Sequence, residues 1–600
     1  MATYKTPGVF IEEIPRLGSS IVGVPTAVTG FVGYTEKAQL VDGTIVTNKP
    51  VRITSLLEFQ QIFGGPFKET FDVTLSGSVF GATTIATVPT SFTDLTPPTS
   101  ILSKYILFYQ VRMFYANGGG TCWIVSVGDY DPTADPASID VDELNDGLDL
   151  FEQIDEVTIL TVPESVFLVD TERKTVYDKM GIQCAKMQDR FAIVDVVHTD
   201  GDTIFEDATQ FRDNEIGANN LKYVGAYYPA LNTPIESFFE DADVTIIDDR
   251  PSGPYISPTN KLSDIKTTSL TAVQSSTGQI IFLLGTGALA NTDFIQIVDG
   301  GTPAAFNVTL QGVVDFEVGT SLADSVAGLI VAINAHPVLS LWVTALPGAN
   351  VNQLVLRANL YGTVGNNYDA VGTGGRFPAT TAFVGGAGSG ADTALYNGIK
   401  TELAKYKLTL YPSATMAGVY AQVDNARGVW KAPANVGLTF VNRPSISIDD
   451  DEQQNLNVDS VSGKSINAIR AFAGRGTLVW GARTLAGNDN EWRYINVRRL
   501  FTYVEESSKK ATEFVIFEAN TANTWQRVKG MIETFLTNLW RDGALAGATP
   551  KDAFFVRVGL GTTMTIDDIL NGKMIVEIGM AAARPAEFII LRFEHKLQES

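Results

Sequence analysis

The chain has 600 residues, 45% of them apolar and 18% charged, a balance that excludes an intrinsically disordered protein and gives room for several domain-sized units. Its 44 Lys and Arg against 67 Asp and Glu leave a net charge of −23, which argues against nucleic acid or an anionic membrane as the main partner, because like charges repel. No apolar run approaches the roughly 18 residues of a membrane span, residues 1–7 lack the apolar core of a signal peptide, and Cys122 and Cys184 are too few for a disulfide framework. The expectation is a protein made and folded in the cytoplasm with reduced thiols.

Pro7, Pro15 and Pro25 punctuate the first 25 residues and exclude a helix there, so residues 9–14 (VFIEEI) are expected as a strand within an extended arm. Residues 26–34 form an apolar run of strand length. The spacing at 53–63 (ITSLLEFQQIF) predicts a short amphipathic helix closed by Gly64 and Gly65. The Gly, Ser and Thr of 76–100 suit a loop or hairpin. From 101 to 228 helical and buried-strand patterns alternate: a helix at 105–116 stopping at Asn117-Gly118-Gly119-Gly120, a strand at 122–127, and strands at 158–162 and 191–197 separated by a helical stretch at 173–187. This alternation is the pattern of an α/β domain.

Composition changes near Gly253. Residues 253–411 are rich in Gly, Thr and Asn, with strand patterns at 280–284 and 294–298 and one clear helix at 322–335, started by Ser321 and followed by Pro337. The flanks keep the α/β style, so 253–411 reads as a β-rich domain inserted in a larger one. Residues 461–600 carry 18 Lys and Arg against 15 Asp and Glu, leaving −26 for residues 1–460. Near balance suits a surface packed against other subunits, whereas a solvent-facing one tolerates excess like charge.

Within that last part, Asn523 is expected to cap a helix, with Gln526 completing a capping box and Gly543 closing it. Trp525, Val528, Ile532, Phe535, Leu536, Leu539 and Trp540 share its apolar face. The opposite face presents Arg527, Lys529, Glu533 and Arg541, which by spacing alone is more simply a solvated surface than a partner contact. Residues 588–596 alternate Ile589, Leu591 and Phe593 against Phe588, Ile590, Arg592 and Glu594, the pattern of a strand with one strongly apolar face.

Catalytic and metal chemistry finds no support. His198 lies near Asp195 and Asp200, where a strand end entering a polar turn is the simpler reading. His336 precedes Pro337, His595 sits in the terminal strand pattern, and neither His-Glu-x-x-His nor Gly-x-Ser-x-Gly occurs. Gly463-Lys464-Ser465 lacks the glycine that a phosphate loop needs at 458, which is Val. The acidic run 449–452 has no glycine-turned calcium loop and reads as a solvated turn, and the glycines of 385–390 read as a linker. No catalytic residue, metal or cofactor is assigned.

Several motifs together resemble contractile phage tail sheath proteins: Thr6-Pro7-Gly8-Val9-Phe10-Ile11-Glu12-Glu13 at the start; Gly418-Val419-Tyr420-Ala421 and residues 427–435 (RGVWKAPAN); Ser465-Ile466-Asn467-Ala468-Ile469-Arg470; Trp480-Gly481-Ala482-Arg483-Thr484-Leu485; residues 492–500 (WRYINVRRL); Phe517-Glu518-Ala519-Asn520 with Trp525; and Pro585-Ala586-Glu587-Phe588. The resemblance spans about 1–65, 101–252 and 412–600, and 253–411 departs from the minimal family pattern.

The resemblance implies a multidomain α/β (mixed α+β) sheath fold. Its parts would be an N-terminal strand-exchange arm at 1–25, a middle α/β domain at 26–252 and 412–460, an inserted outer β-rich domain at 253–411, an inner C-terminal α/β domain at 461–584 and a C-terminal strand arm at 585–600. It implies a structural subunit rather than an enzyme, one that polymerises around an inner tube and contracts to drive the tube through a target envelope. The implied partners are further copies of itself in hexameric rings or helical strands, an inner tail tube protein, and baseplate and tail terminator proteins, with no nucleic acid, membrane or cofactor. Assembly would take place in the cytoplasm of the producing bacterium, and the product would be a virion tail or a released contractile particle. The resemblance assigns strand exchange between subunits to Pro7, Gly8, Val9, Phe10, Ile11 and Ile14 and to Phe588, Ile589, Ile590, Leu591 and Phe593, and it makes Arg527, Lys529, Glu533 and Arg541 the candidate inner-tube contact. Two other classes stay open: another self-assembling tail or capsid protein, although a tube subunit is usually far shorter, and a glycan-active enzyme, for which convergent catalytic groups are missing.

Overall fold

The computed structural model describes residues 21–76, 84–89, 100–101, 103–131, 139–248, 261–263, 279–283, 294–299, 307–311, 322–335, 343–347, 353–358, 368–372, 381–382 and 393–592. The chain divides into two compact units, one formed by Met1–Pro66, Tyr105–Pro234 and Thr409–Ser600, the other by Phe67–Lys104 and Ile235–Leu408.

The first unit is built on eight strands: β1 (Thr29–Thr35), β2 (Val51–Ile53), β3 (Cys122–Asp129), β4 (Ile159–Thr161), β5 (Phe191–Asp195), β6 (Val224–Tyr228), β7 (Ile466–Phe472) and β8 (Gly476–Val479). Their order across the sheet is β2-β3-β1-β4-β5-β6-β7-β8. The six inner strands run parallel, with Thr29 of β1 opposite both Cys122 of β3 and Ile159 of β4, while β2 and β8 close the two edges antiparallel. All seven residues of β1 are buried, as a parallel strand covered on both faces requires.

The covering helices are α1 (Leu56–Phe63), α2 (Leu107–Ala116), α3 (Val141–Leu150), α4 (Asp170–Met187) and α5 (Ser413–Arg427). Successive strand residues point to opposite faces, and β1 shows which helix lies where. The ring of Phe31 meets Phe114 of α2 at 5.3 Å, whereas Val32 reaches Gly147 of α3 so closely that a Cβ there would sit 2.5 Å from its methyl group. Helices α2 and α5 pack together on the first face, and α3 and α4 are joined on the second by Gln183 donating to the Leu148 carbonyl at 2.7 Å. This is the α/β alternation expected from residues 101–228.

Two expected elements differ in detail. Residues 51–53 form the edge strand β2, and α1 starts only after Ser55, whose hydroxyl accepts the Glu58 amide while the Glu58 carboxylate returns to the Thr54 amide. The acidic run at 449–452 is not a turn. Asp449 caps helix α6 (Asp450–Asn457) in a reciprocal pair with Glu452, so the negative charges lie at the positive end of the helix.

In the second unit, strands Phe71–Ser76 and Thr84–Pro89 form a hairpin, and Val244–Asp248 pairs parallel to the former. Two antiparallel sheets follow, made by Gln279–Leu283, Gln353–Ala358 and Val343–Pro347, and by Asn307–Gln311, Phe294–Asp299, Tyr368–Gly372 and Thr381–Ala382. Helix Leu322–Ala335 has the expected bounds, and its Asn334 side chain bonds both backbone groups of Ala345. Residues 385–390, His336 and His595 lie outside the described residues.

Two helices of the first unit begin on buried carboxylates borrowed from elsewhere in the chain. Glu164 accepts the amides of Ile106 and Leu107 at the start of α2 and of Tyr34 at 2.7 Å, and Asp195 accepts the Ser413 amide at the start of α5 at 2.7 Å. Neither helix has a side-chain cap of its own, so these acids satisfy otherwise orphaned donors. Burial pushes Glu164 up to about 8 and Asp195 up to about 7. Each therefore keeps in the folded chain a proton that it gives up near pH 4 when unfolded, and the stability present below that pH is lost as pH rises through 7 to 8. Replacing Asp195→Asn, which keeps an acceptor and cannot ionise, is expected to flatten the decline in unfolding free energy between pH 5 and pH 8.5 by about 3 kcal/mol. Urea titrations at both pH values check this, and equal declines in the two proteins would contradict it.

Candidate assembly interface

The last part of the first unit is a helical pair on a small sheet. Helix α7 (Ile495–Thr512) and helix α8 (Ala522–Arg541) bury Leu500 and Val504 against Val528, Ile532, Phe535, Leu536 and Leu539, and Ile21 from the start of the described chain joins the same core. The apolar face of α8 is the expected one, but its cap is not. Thr521 occupies the N-cap position and Asn523 lies exposed inside the first turn. The Asn520 side chain instead accepts the indole N–H of Trp525 and donates to the Lys573 carbonyl, a role that calls for a residue both donor and acceptor.

Strands β9 (Phe554–Val558) and β10 (Val576–Met580) pair antiparallel, with Val556 opposite Ile578. Val556 closes the core below, and on the other face Arg557 lies 4.4 Å from the Phe555 ring. Among the described residues neither strand has a third strand beside it. A two-stranded sheet is marginal alone, and its unpaired edges are templates for another strand.

The chain then runs on to an unusual exposure. Phe588, Ile589, Ile590 and Leu591 are 71%, 80%, 79% and 72% exposed in sequence order, and residues 588–592 belong to no strand. The expected strand is thus absent from the isolated chain over these residues, since a strand needs a neighbouring backbone. Residue Phe593 and the N-terminal group Pro7, Gly8, Val9, Phe10, Ile11 and Ile14 lie outside the described residues. Just before the exposed run, Glu587 is held by Arg483, Tyr494 and Asn457. Its cost of burial is outweighed by the bonds from Arg483 and Asn457, which hold its carboxyl below the usual range. A groove of about 530 Å³ lies alongside, lined by Trp480, Tyr494 and residues 585–589.

The four polar residues of α8 do not form one cluster. Arg527 and Arg541 lie on its exposed stripe, 14 residues and about 21 Å apart along the helix. Lys529 and Glu533 sit at the flank, half-buried, and pair with each other at 3.7 Å. Arg527 stacks over Phe514 at 4.9 Å, beside a feature that residue spacing does not signal: the link between α7 and α8 exposes Ile516 and all of Phe517, the latter with a φ of 70°. His198 pairs with buried Asp207 at 2.6 Å, while Asp195 is turned away to α5. Among the described residues no group of three His, Cys, Asp or Glu could hold a metal ion, and no helix is long and apolar enough to cross a membrane.

Comparison with known proteins places this region in context. Residues 487–596 match the phage tail sheath C-terminal domain. The tail sheath protein of Vibrio phage KVP40 is 25% identical over 182 residues, which are 30% of this chain and 25% of that protein, so the match spans about a quarter of the length of that curated relative. Over the whole chain the fold is that of contractile sheaths. The sheath of the PVC extracellular contractile injection system in its contracted state superposes with a TM-score of 0.51 at 23% identity, covering 99% of both chains. The contracted helical sheath of the anti-feeding prophage gives 0.51 at 24% identity, covering 99% of this chain and 100% of the other. The resemblance carried by the sequence motifs and the multidomain α/β fold class are thus both borne out.

The core and the exposed tip separate cleanly by mutation. Leu536→Ala empties a fully buried site and is expected to cost about 2–5 kcal/mol, whereas Phe517→Ser should change stability by less than about 0.5 kcal/mol. Urea unfolding measures both, and equal effects would show that the helical pair is not packed as described.

Proposed function

We propose that this chain is the structural subunit of a contractile tail sheath, a protein that polymerises around an inner tube, contracts to drive it through an envelope, and performs no catalysis. The observation that carries the reading is the row of four exposed apolar residues, Phe588–Leu591, in a chain that also holds a two-stranded sheet with open edges. Ordering four residues costs about 4–8 kcal/mol of backbone entropy. Burying their side chains returns about 6–12 kcal/mol, and each backbone hydrogen bond adds about 1 kcal/mol. The balance becomes favourable only when a sheet receives the segment, and a neighbouring copy's β9 and β10 offer one. Residues 7–14 supply a second strand pattern for the same kind of β-augmentation.

In this reading 461–584 is the inner domain, whose first two strands, β7 and β8, complete the sheet of the middle domain at 26–252 with 412–460, and 253–411 is an outer decoration, with arms at 1–25 and 585–600. The solved sheaths of PVC and the anti-feeding prophage are contracted assemblies, which supports a homopolymer here. Contraction needs no nucleotide if the extended lattice is metastable and each subunit gains contacts on moving outward, while arms that stay paired keep the lattice connected. The inner tube, baseplate and terminator proteins would be the other partners. Arg527 and Arg541, with Lys529 and Glu533 at their flank, would face the tube.

Deleting residues 588–600 is expected to leave a folded subunit with an unchanged unfolding midpoint while tubes vanish from electron micrographs. Deleting 1–14 should do the same, and normal sheaths from both truncated proteins would overturn the proposal. Reversing Arg527 and Lys529 to Glu is expected to weaken cosedimentation of sheath with tube at least several-fold without preventing sheath formation. Undiminished cosedimentation would remove α8 from the tube contact.

A further inference from the structure

Three of the motif segments, 465–470, 480–485 and 492–500, have no part yet in the reading above, and they lie roughly 85 residues or more before residues 585–588. In the fold they converge on Glu587. The Arg483 guanidinium, 4% exposed, grips its carboxylate with Nε at 2.9 Å from Oε1 and Nη2 at 2.6 Å from Oε2, the planar two-point geometry that lysine cannot reproduce. The Tyr494 hydroxyl donates to Oε2 at 3.0 Å and the Asn457 amide to Oε1 at 2.9 Å. Arg483 is itself fixed. Its backbone N–H donates to Asn467 Oδ1 at 2.7 Å and its carbonyl accepts from Asn467 Nδ2 at 2.8 Å, and the same amide nitrogen reaches the Ala226 carbonyl on β6 at 3.0 Å. Glu587 is therefore tied through Arg483 and Asn467, which sits on β7, to the central sheet. One residue later the chain is 71% exposed.

Helix α7 connects this point to the other end of the chain. At its start Tyr494 holds Glu587, and Asn496 donates to the Ala583 carbonyl at 3.2 Å. Further along, Arg499 donates to the Thr26 carbonyl at 2.8 Å and Ser507 Oγ accepts the Val24 amide at 3.2 Å. Gly23 passes so close to Tyr503 that an added Cβ would lie 1.9 Å from its hydroxyl, so glycine is the residue that fits. Residues 21–26 are thus seated on the same helix that seats 583–587, with Tyr494 and Ser507 about 20 Å apart along it.

We propose that the Arg483–Glu587 ion pair is the anchor that makes residue 588 the pivot of the C-terminal arm, and that α7 joins this anchor to the root of the N-terminal arm at 21–26 as one rigid piece. The proposal rests on reading 588–600 as an arm that pairs with a neighbouring copy. Tension on the arm then stops at Glu587 instead of peeling 583–587 from the body, and both arms leave the subunit a fixed distance apart. Arg483, Tyr494 and Asn467 act here as positioning residues.

The test is hydrogen exchange of residues 583–592 in the full-length subunit, with Glu587→Gln and Arg483→Lys compared with the parent, followed by electron microscopy of sheared polymers. In the parent, protection is expected at the Ala583 amide, which donates to the Ala544 carbonyl, and none beyond residue 587. Glu587→Gln should speed exchange at 583–587 at least tenfold, leave exchange at 21–26 and the unfolding midpoint nearly unchanged, and shorten sheared polymers several-fold. Tyr494→Phe, which removes one bond, should give a smaller acceleration of the same segment and keeps the test open should Arg483→Lys not fold. Unchanged exchange at 583–587 in Glu587→Gln would overturn the anchor. If deleting 588–600 blocks assembly while Glu587→Gln polymers withstand shear as the parent does, the anchor fails and the arm reading stands. If the deleted protein assembles normally, the arm reading itself fails.

Discussion

Backbone amides and carbonyls need hydrogen-bond partners, and large apolar side chains need to leave water. Among the described residues the segment Phe588–Leu591 has no strand partner and its side chains stay exposed, and the small sheet of β9 and β10 has no third strand. The central sheet of the same unit treats its edges in the opposite way. Its outermost strands, β2 and β8, have three and four residues and run antiparallel to their neighbours, which ends the ladder before it can recruit another chain. The chain thus closes one sheet and, among the described residues, leaves another open.

In the proposed sheath that arrangement calls for a body that does not deform when its ends are pulled. Buried polar contacts supply much of the fixity. Arg499 pairs with Asp424 while both are almost fully buried, lies 4.7 Å from the Tyr420 ring and reaches the Thr26 carbonyl. The Tyr420 hydroxyl in turn bonds that of Tyr227 on β6. Removing one member of such a pair leaves an uncompensated buried charge, so these residues tolerate little movement and specify one geometry. The same holds for Glu164 and Asp195, each of which fixes a helix start by an interaction that no local segment could provide.

Much of this was legible in the sequence, and the reason is periodicity. The apolar run of β1, the helix at 322–335 and the buried stripe of α8 follow from the spacing of side chains on a strand or helix. What spacing could not settle were choices between local partners. Asn523 is the residue that spacing suggests as the cap of α8, but the helix starts at Ala522 with Thr521 at the N-cap position, where its side chain makes no capping bond. Asp449 could have led a turn, but Glu452 three residues later made it a helix cap. Arg527, Lys529, Glu533 and Arg541 read as one face by spacing, yet Arg527 and Arg541 are exposed while Lys529 and Glu533 lie half-buried at the flank and pair with each other.

Taken alone, the sequence determined the α/β class, the acidic body with a charge-balanced C-terminal part, and the apolar row near the end of the chain, because each is a property of composition or of neighbours within about ten residues. Only the tertiary structure decided that Asn467, Arg483, Tyr494 and Glu587 meet, and that α7 seats both Val24 and Ala583. These residues are separated by tens to hundreds of positions. Their contact exists because the order of strands in the sheet and the packing of helices on it bring them together, and no period in the chain encodes that order.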